Sequence, residues 1–309
     1  MKVDGEAERR WLRPLGLLAV GLSLAVGQPL LIIVVAFAFL ALTTSGARIG
    51  AFLLGAAAFV IAFAGDPTAE LWYLERGWAI LAGGWFAGLS LAWPERPFAI
   101  RGLAAVAGSG FWAAVVLASA GGWGVAEEMV RQRIRTSADA ALELMAGSGD
   151  GTGLSEAITR TVEFQSLLFP SLLGLSTFAC LGVAWWLHVR VLDGSDRGLG
   201  RWRDFRFPDP LIWVFISGLI LVLLMGWDGE WGRLGVNVMV FMGALYAFRG
   251  AGVLLFLSGG LSLLSGLLVA VGLVLAGPIL ILGAMIVGLG DSWLDLRSRA
   301  GMDGVTGEG

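Results

Sequence analysis

Successive apolar segments, each long enough to enter a lipid bilayer, constrain this chain more than any motif it carries. They fall at 15–42, 49–65, 78–94, 103–121, 166–189, 211–226, 234–257 and 261–290, and charge is confined to the gaps. The extended polar stretches between Leu15 and Gly290 are 122–165 and 190–210. A span needs about 20 helical residues to cross about 30 Å of hydrocarbon. Hydrophobic residues are 57% of the 309-residue chain, charged residues 15%, and mean hydropathy is +0.80. A soluble fold of this length could not cover so much apolar surface. The expectation is an all-α polytopic transmembrane helix bundle. It is read as a single domain over 1–300, with a disordered tail at 301–309.

Two segments are too long for one straight crossing. The first is interrupted at Gly27-Gln28-Pro29 and the last at Gly277-Pro278. Each is either one kinked, tilted helix or a pair of half-helices. That alternative sets the count at eight to ten membrane elements. Loop arginines bear on orientation. Summed over all loops the two topologies tie, and the five arginines of the short 190–206 loop favour placing it on the side of the basic N-terminus. That N-terminus resembles a signal peptide, but the apolar run continues to Leu42 without a small-residue cleavage site and reads as a retained anchor.

Residues 124–146 read as an amphipathic helix within an extramembrane insert at about 122–165. Val130, Ile134, Ala138, Ala141 and Met145 form its stripe. The run Gly147–Gly153 breaks it, and a second helix from about Leu154 leads into the next span. Of the fourteen tryptophans, Trp72, Trp78, Trp93, Trp123, Trp185, Trp186, Trp213, Trp227, Trp231 and Trp293 sit at or near segment ends, where they read as interfacial anchors. Small residues recur at four-residue spacing (Gly21/Ala25, Gly46/Gly50, Ala51/Gly55, Ala58/Ala62, Gly84/Gly88), which lets helix backbones approach closely in lipid.

Composition excludes several chemistries. Net charge is −3, which suits no nucleic-acid partner, and the basic residues are 20 Arg and the single Lys2. One cysteine, Cys180, and one histidine, His188, cannot build a disulfide or a histidine- or cysteine-rich metal site. No cofactor or metal is expected, and no nucleophile–histidine–acid set argues for an enzyme. Arg249 stands about 12 Å inside the 234–257 segment. An ionisable residue inside a span is a functional candidate, here as ligand contact or counter-ion, against snorkelling or structural pairing. Asn237 is the amide on the same segment. At the C-terminal end, Asp291, Asp295 and Arg297 are candidate closing or docking residues, with Asp295/Arg299 as an i,i+4 pair. Gly288-Leu289-Gly290-Asp291 also matches the GxGD element of intramembrane aspartyl proteases, but no second span carries an Asp and polar residues follow Asp291 at once. Asp291 is therefore read as not buried. A single pass of the last segment keeps Asp291 from Arg249 and a fold-back at Pro278 would let them pair; the expectation is that they lie apart. Arg201, Arg203 and Arg206, alternating with aromatics, suit contact with lipid phosphates.

Four pieces, in order, resemble the YybS-like family of bacterial membrane proteins. They are the apolar pair joined through Pro29 and followed by Gly46-Ala47-Arg48-Ile49-Gly50, and the helical insert before Phe169-Pro170. The third is the basic loop closing on Phe205-Arg206-Phe207-Pro208 and then Leu211-Ile212-Trp213. The last is the ending Gly288–Arg297. That family looks distantly related to the substrate-binding S-components of energy-coupling-factor transporters. The resemblance implies a small-ligand-binding or transport subunit, multi-pass in a bacterial cytoplasmic (inner) membrane, with membrane lipids and an energising transporter module as partners. The charged Arg249, where an uncharged polar residue would be expected, departs from it, and the segment count exceeds six. The rival is a non-transporting membrane scaffold or interaction protein.

Overall fold

The computed structural model describes residues 15–22, 28–43, 49–63, 72–119, 124, 127–136, 151–193, 199, 205–227, 229–258 and 263–299. Its regular elements are all helical. They are α1 (15–22), α2 (Pro29–Thr43), α3 (Ile49–Phe63), α4 (Trp72–Ala92), α5 (Phe98–Ser119), α6 (127–136), α7 (Gly151–His188), α8 (Ile212–Met225), α9 (Glu230–Leu257) and α10 (Leu263–Leu294). A π-turn, Val189–Asp193, extends α7, and a 3₁₀ turn, Asp209–Leu211, precedes α8. The chain divides into two compact units, 1–199 and 200–309.

In the first unit α2 is central and packs on α3, α4 and α7. Pro29 opens it at a position where a missing N–H costs nothing, and Leu31 N donates to Gln28 O at 3.1 Å. Apolar on every side, α2 is buried as such a helix must be, and Val35, Ala36 and Ala38 have no exposure. Small residues set the contacts. A side chain at Gly83 would press on the Ala36 backbone, and one at Gly55 on the Ala38 carbonyl. Of the stripes read from sequence, Ala51, Gly55 and Ala62 pack inward, whereas Gly84 and Gly88 face an open apolar groove of about 540 Å³ with Ile80, Trp85 and Ala92. Trp78 Nε1 donates to Thr177 Oγ1 at 2.9 Å, so this tryptophan holds α4 to α7 rather than the headgroups.

In the second unit α9 packs on α8 and α10. Gly226, with φ +73°, caps α8 in a backbone region open to glycine and turns the chain toward α9. A Cβ on Gly250 would fall on the Ala284 carbonyl, and one on Gly288 on the Tyr246 carbonyl. Those pairings run in opposite directions along the two sequences, so α9 and the C-terminal arm of α10 are antiparallel and in backbone contact. The other arm is separated by a break: Ala276 is non-helical at φ −137°, ψ 31°, two residues before Pro278. A Cβ on Gly272 would lie 3.1 Å from Leu280 Cδ1. Eight residues of straight helix would span about 12 Å, so α10 bends sharply there.

Four described helices are long and apolar enough to cross a membrane: Phe98–Ser119, Val162–Leu192, Trp231–Leu257 and Leu275–Leu294. Three shorter apolar ones are Pro29–Thr43, Ile49–Phe63 and Asp209–Met225. Their outward faces are greasy; Leu223, Leu224, Leu275 and Ile279 are each more than 70% exposed. Acyl chains, not water, suit such a surface. The amphipathic insert is seen as helix 127–136, where Arg131 pairs with Glu127 at 3.0 Å, and the rest of that helix and the 301–309 tail lie outside the described residues. The expected second helix of the insert is continuous with the following span, as α7, through Pro170.

Gly288→Val should therefore push α10 off α9, at a cost of about 1–3 kcal/mol for overpacking. Gly84→Ala, in open space, should stay within about 0.5 kcal/mol of wild type. Thermal unfolding of the detergent-solubilised variants compares them.

Candidate functional site

Charge gathers in the second unit where α9, the C-terminal arm of α10 and the strap 205–211 meet. Arg249 is 2% exposed and Asp291 1% exposed. Arg249 Nε donates to Asp291 Oδ2 at 2.9 Å, and Nη1 donates to Asp209 Oδ1 at 2.8 Å and to the Phe207 carbonyl at 3.4 Å. Arg297, 5% exposed, places Nη2 3.5 Å from the same Asp291 oxygen. It also donates to the carbonyls of Phe205 at 3.1 Å and Arg249 at 3.4 Å. The Phe207 ring lies 5.5 Å from the Arg249 guanidinium carbon and packs edge-on against Tyr246.

This overturns the expectation that Arg249 and Asp291 lie apart and that Asp291 is not buried. The bend at Ala276 aligns the second arm of α10 antiparallel to α9, and the Gly250–Gly288 approach brings the two backbones together. A helical side chain leans toward its own N-terminus. The Arg249 side chain thereby descends α9 to the level that Asp291 occupies on α10. Polar Ser292 after Asp291 does not expose it, because the strap and Arg297 cover that end.

Arg297 arrives by a second device. The helix stops at Leu294, and Asp295 adopts φ +42°, the left-handed conformation common after a helix end. The following turn, held by Ser298 N to Asp295 O at 3.1 Å, carries Arg297 back into the cluster. Asp295 pairs with Arg206 at 2.8 Å, in place of the expected Arg299. Its carboxyl is held below the ordinary Asp range, first by the Ser298 hydroxyl and then by the Arg206 guanidinium. A lowered value means this contact helps the folded state above the ordinary Asp pKa and is lost as pH falls through the lower, folded-state value.

The remaining candidates separate from the cluster. Asn237 Nδ2 donates to Arg233 O at 2.9 Å on its own helix. Twelve residues, about 18 Å along α9, divide it from Arg249. Arg201 and Arg203 lie outside the described residues, and Arg206 is engaged by Asp295. Asp209, whose side chain is 63% exposed, and fully buried Tyr246 are not among the candidates that sequence singles out. Asp209 could have been suspected from Pro208-Asp209-Pro210, which fixes the strap's backbone.

Charge is unequal inside the cluster. Two buried guanidiniums face one buried carboxylate, and the second carboxylate, Asp209, stands largely in the open. Asp291 Oδ1 is buried with no hydrogen-bond partner. The ion partners of Asp291 are arginines, not the second carboxylate that a shared-proton dyad needs. Among the described residues no three His, Cys, Asp or Glu side chains converge as metal ligands would.

A family model described as predicted membrane protein (DUF2232) matches residues 16–292. The chain belongs to this family. The matched region of the DUF2232 chain contains Asp209, Arg249 and Asp291, and stops short of Asp295 and Arg297. Comparison with curated proteins and with solved structures gave no match.

Asp291→Asn should cost about 3–5 kcal/mol, because it strands Arg249 and Arg297 without their buried anion. Replacing Arg249, Asp291 and Arg297 together by Met, Leu and Met should recover most of that loss, since a well-packed apolar set need not be solvated. Denaturation midpoints of the single and triple variants test this.

Proposed function

We propose that this DUF2232 protein is a small-ligand-binding or transport subunit of a bacterial cytoplasmic membrane, selective for a small anion. Arg249 is the ligand-contacting residue and Asp209 its exchangeable surface partner. The supporting observation is the uneven cluster: Arg249 is 2% exposed, yet one of its two carboxylate partners is 63% exposed. A carboxylate or phosphate arriving from the surface can compete for the same Nη1 edge, and guanidinium geometry suits either group. The unused Asp291 Oδ1 offers an acceptor to a hydroxyl or amine on the same molecule. The resemblance to transporter S-components agrees with this reading, and an energising module would then be the partner.

A scaffold is the second reading. It is favoured by the open groove on α4, whose small-residue floor at Gly84 and Gly88 suits a partner helix.

Thermal unfolding of the full chain in detergent, with acetate, succinate, glycerol phosphate and inorganic phosphate as probes, separates the two. The transport reading expects at least one probe to stabilise wild type. Asp209→Asn should then bind that probe roughly tenfold more tightly, a gain of about 1.4 kcal/mol, and Arg249→Gln should lose the response. No response to any probe, with Asp209→Asn merely less stable, overturns it; co-purification of one stoichiometric membrane protein in that case favours the scaffold.

A further inference from the structure

The first unit buries Arg101, and among the described residues no carboxylate meets it. Arg101 is the fourth residue of α5 and 3% exposed. Its Nε and Nη1 are buried without hydrogen-bond partners, which leaves Nη2 as the nitrogen with access. Among the described residues nothing ion-pairs with it, and Glu95, in the preceding turn, is exposed. The contact it does make is with an aromatic face: its guanidinium carbon lies 4.2 Å from the Trp185 ring. Trp185 in turn stacks on His188, with ring centroids 5.6 Å apart and planes 28° from parallel.

The position of this stack gives it meaning. A Cβ on Gly102 would touch the Phe178 ring, and one on Gly182 would touch Phe98. These pairings are antiparallel, so the start of α5 lies beside the end of α7. Both helices belong to candidate membrane spans. Arg101 is about 4.5 Å inside the first residue of α5, the depth of a span end rather than a midplane. Exposed Arg96 and Arg190 add positive charge on the flanking turns. The first turn of a 22-residue helix contributes its own positive end.

We propose that Arg101, backed by Trp185 and His188, is a phosphate-binding site at the membrane interface. A buried guanidinium without an anion is unfavourable, and a cation–π contact offsets only part of that. A phosphate meeting Nη2 supplies the missing charge and hydrogen bonds, and the amphipathic Trp185 ring is of the kind that settles at headgroup level. The phosphate comes either from an anionic phospholipid headgroup or from a free phosphate. The site is in the first unit and does not depend on the Arg249 cluster.

The test uses the delipidated full chain in detergent, followed by native mass spectrometry and thermal unfolding. Phosphatidylglycerol, phosphatidylcholine and inorganic phosphate are the probes, on wild type, Arg101→Gln, Arg101→Lys and the surface control Arg131→Gln. The expected result is phosphatidylglycerol retained by wild type and by the control, and bound roughly tenfold more weakly by Arg101→Gln. Arg101→Lys, which keeps the charge but not the planar stack, should fall between them and serves if Arg101→Gln does not fold. A thermal shift with inorganic phosphate alone, lost in Arg101→Gln, assigns the site to the free anion. Binding of either probe unchanged in both Arg101 variants overturns the proposal. So does the absence of any response in wild type.

Discussion

Asp291 between two arginines is the interaction on which the second unit depends. One carboxylate ties together α9 through Arg249 and the returning C-terminal turn through Arg297. Arg249 adds the strap through Asp209 and the Phe207 carbonyl. Away from water such charges are stable only when paired and hydrogen-bonded, so each of these segments has one place to be. The same constraint makes the cluster uneven, because a buried excess of positive charge is balanced by a carboxylate that remains exposed.

Lipid solvation explains why so much rests on so few polar groups. Between apolar helices in a bilayer there is little hydrophobic drive, and close backbone packing takes its place. Gly250 and Gly288 supply that approach between α9 and α10, and Gly83 and Gly55 supply it around α2. Within the second unit, the Gly250 and Gly288 contacts position the charged cluster. The sharp bend at Ala276 serves the same end, since it brings the C-terminal arm of α10 against Tyr246 and Gly250.

The helical membrane class was legible because apolar run length depends on the solvent and not on the partner. Arg249 was legible as an anomaly for the same reason. Its pairing with Asp291 is not, because it depends on the sharp bend at Ala276 and on the 205–211 strap, which is remote in sequence from both residues. Asp295 illustrates the point from the other side: helical spacing suggested Arg299, but a left-handed residue ends the helix there and turns Asp295 to Arg206. Arg101 escaped notice because it precedes the apolar run at 103–121 by two residues and looked like a flank. Trp185 was read as an anchor, and only the antiparallel pairing of α5 with α7 shows the two side by side.

The most direct measurement is isotope-edited infrared difference spectroscopy of wild type against Asp291→Asn in lipid vesicles. Loss of an ionised carboxylate band is the predicted result, since Asp291 is buried between two guanidiniums. Loss of a protonated carboxylic acid band instead would contradict a buried Asp291 held as an anion between Arg249 and Arg297.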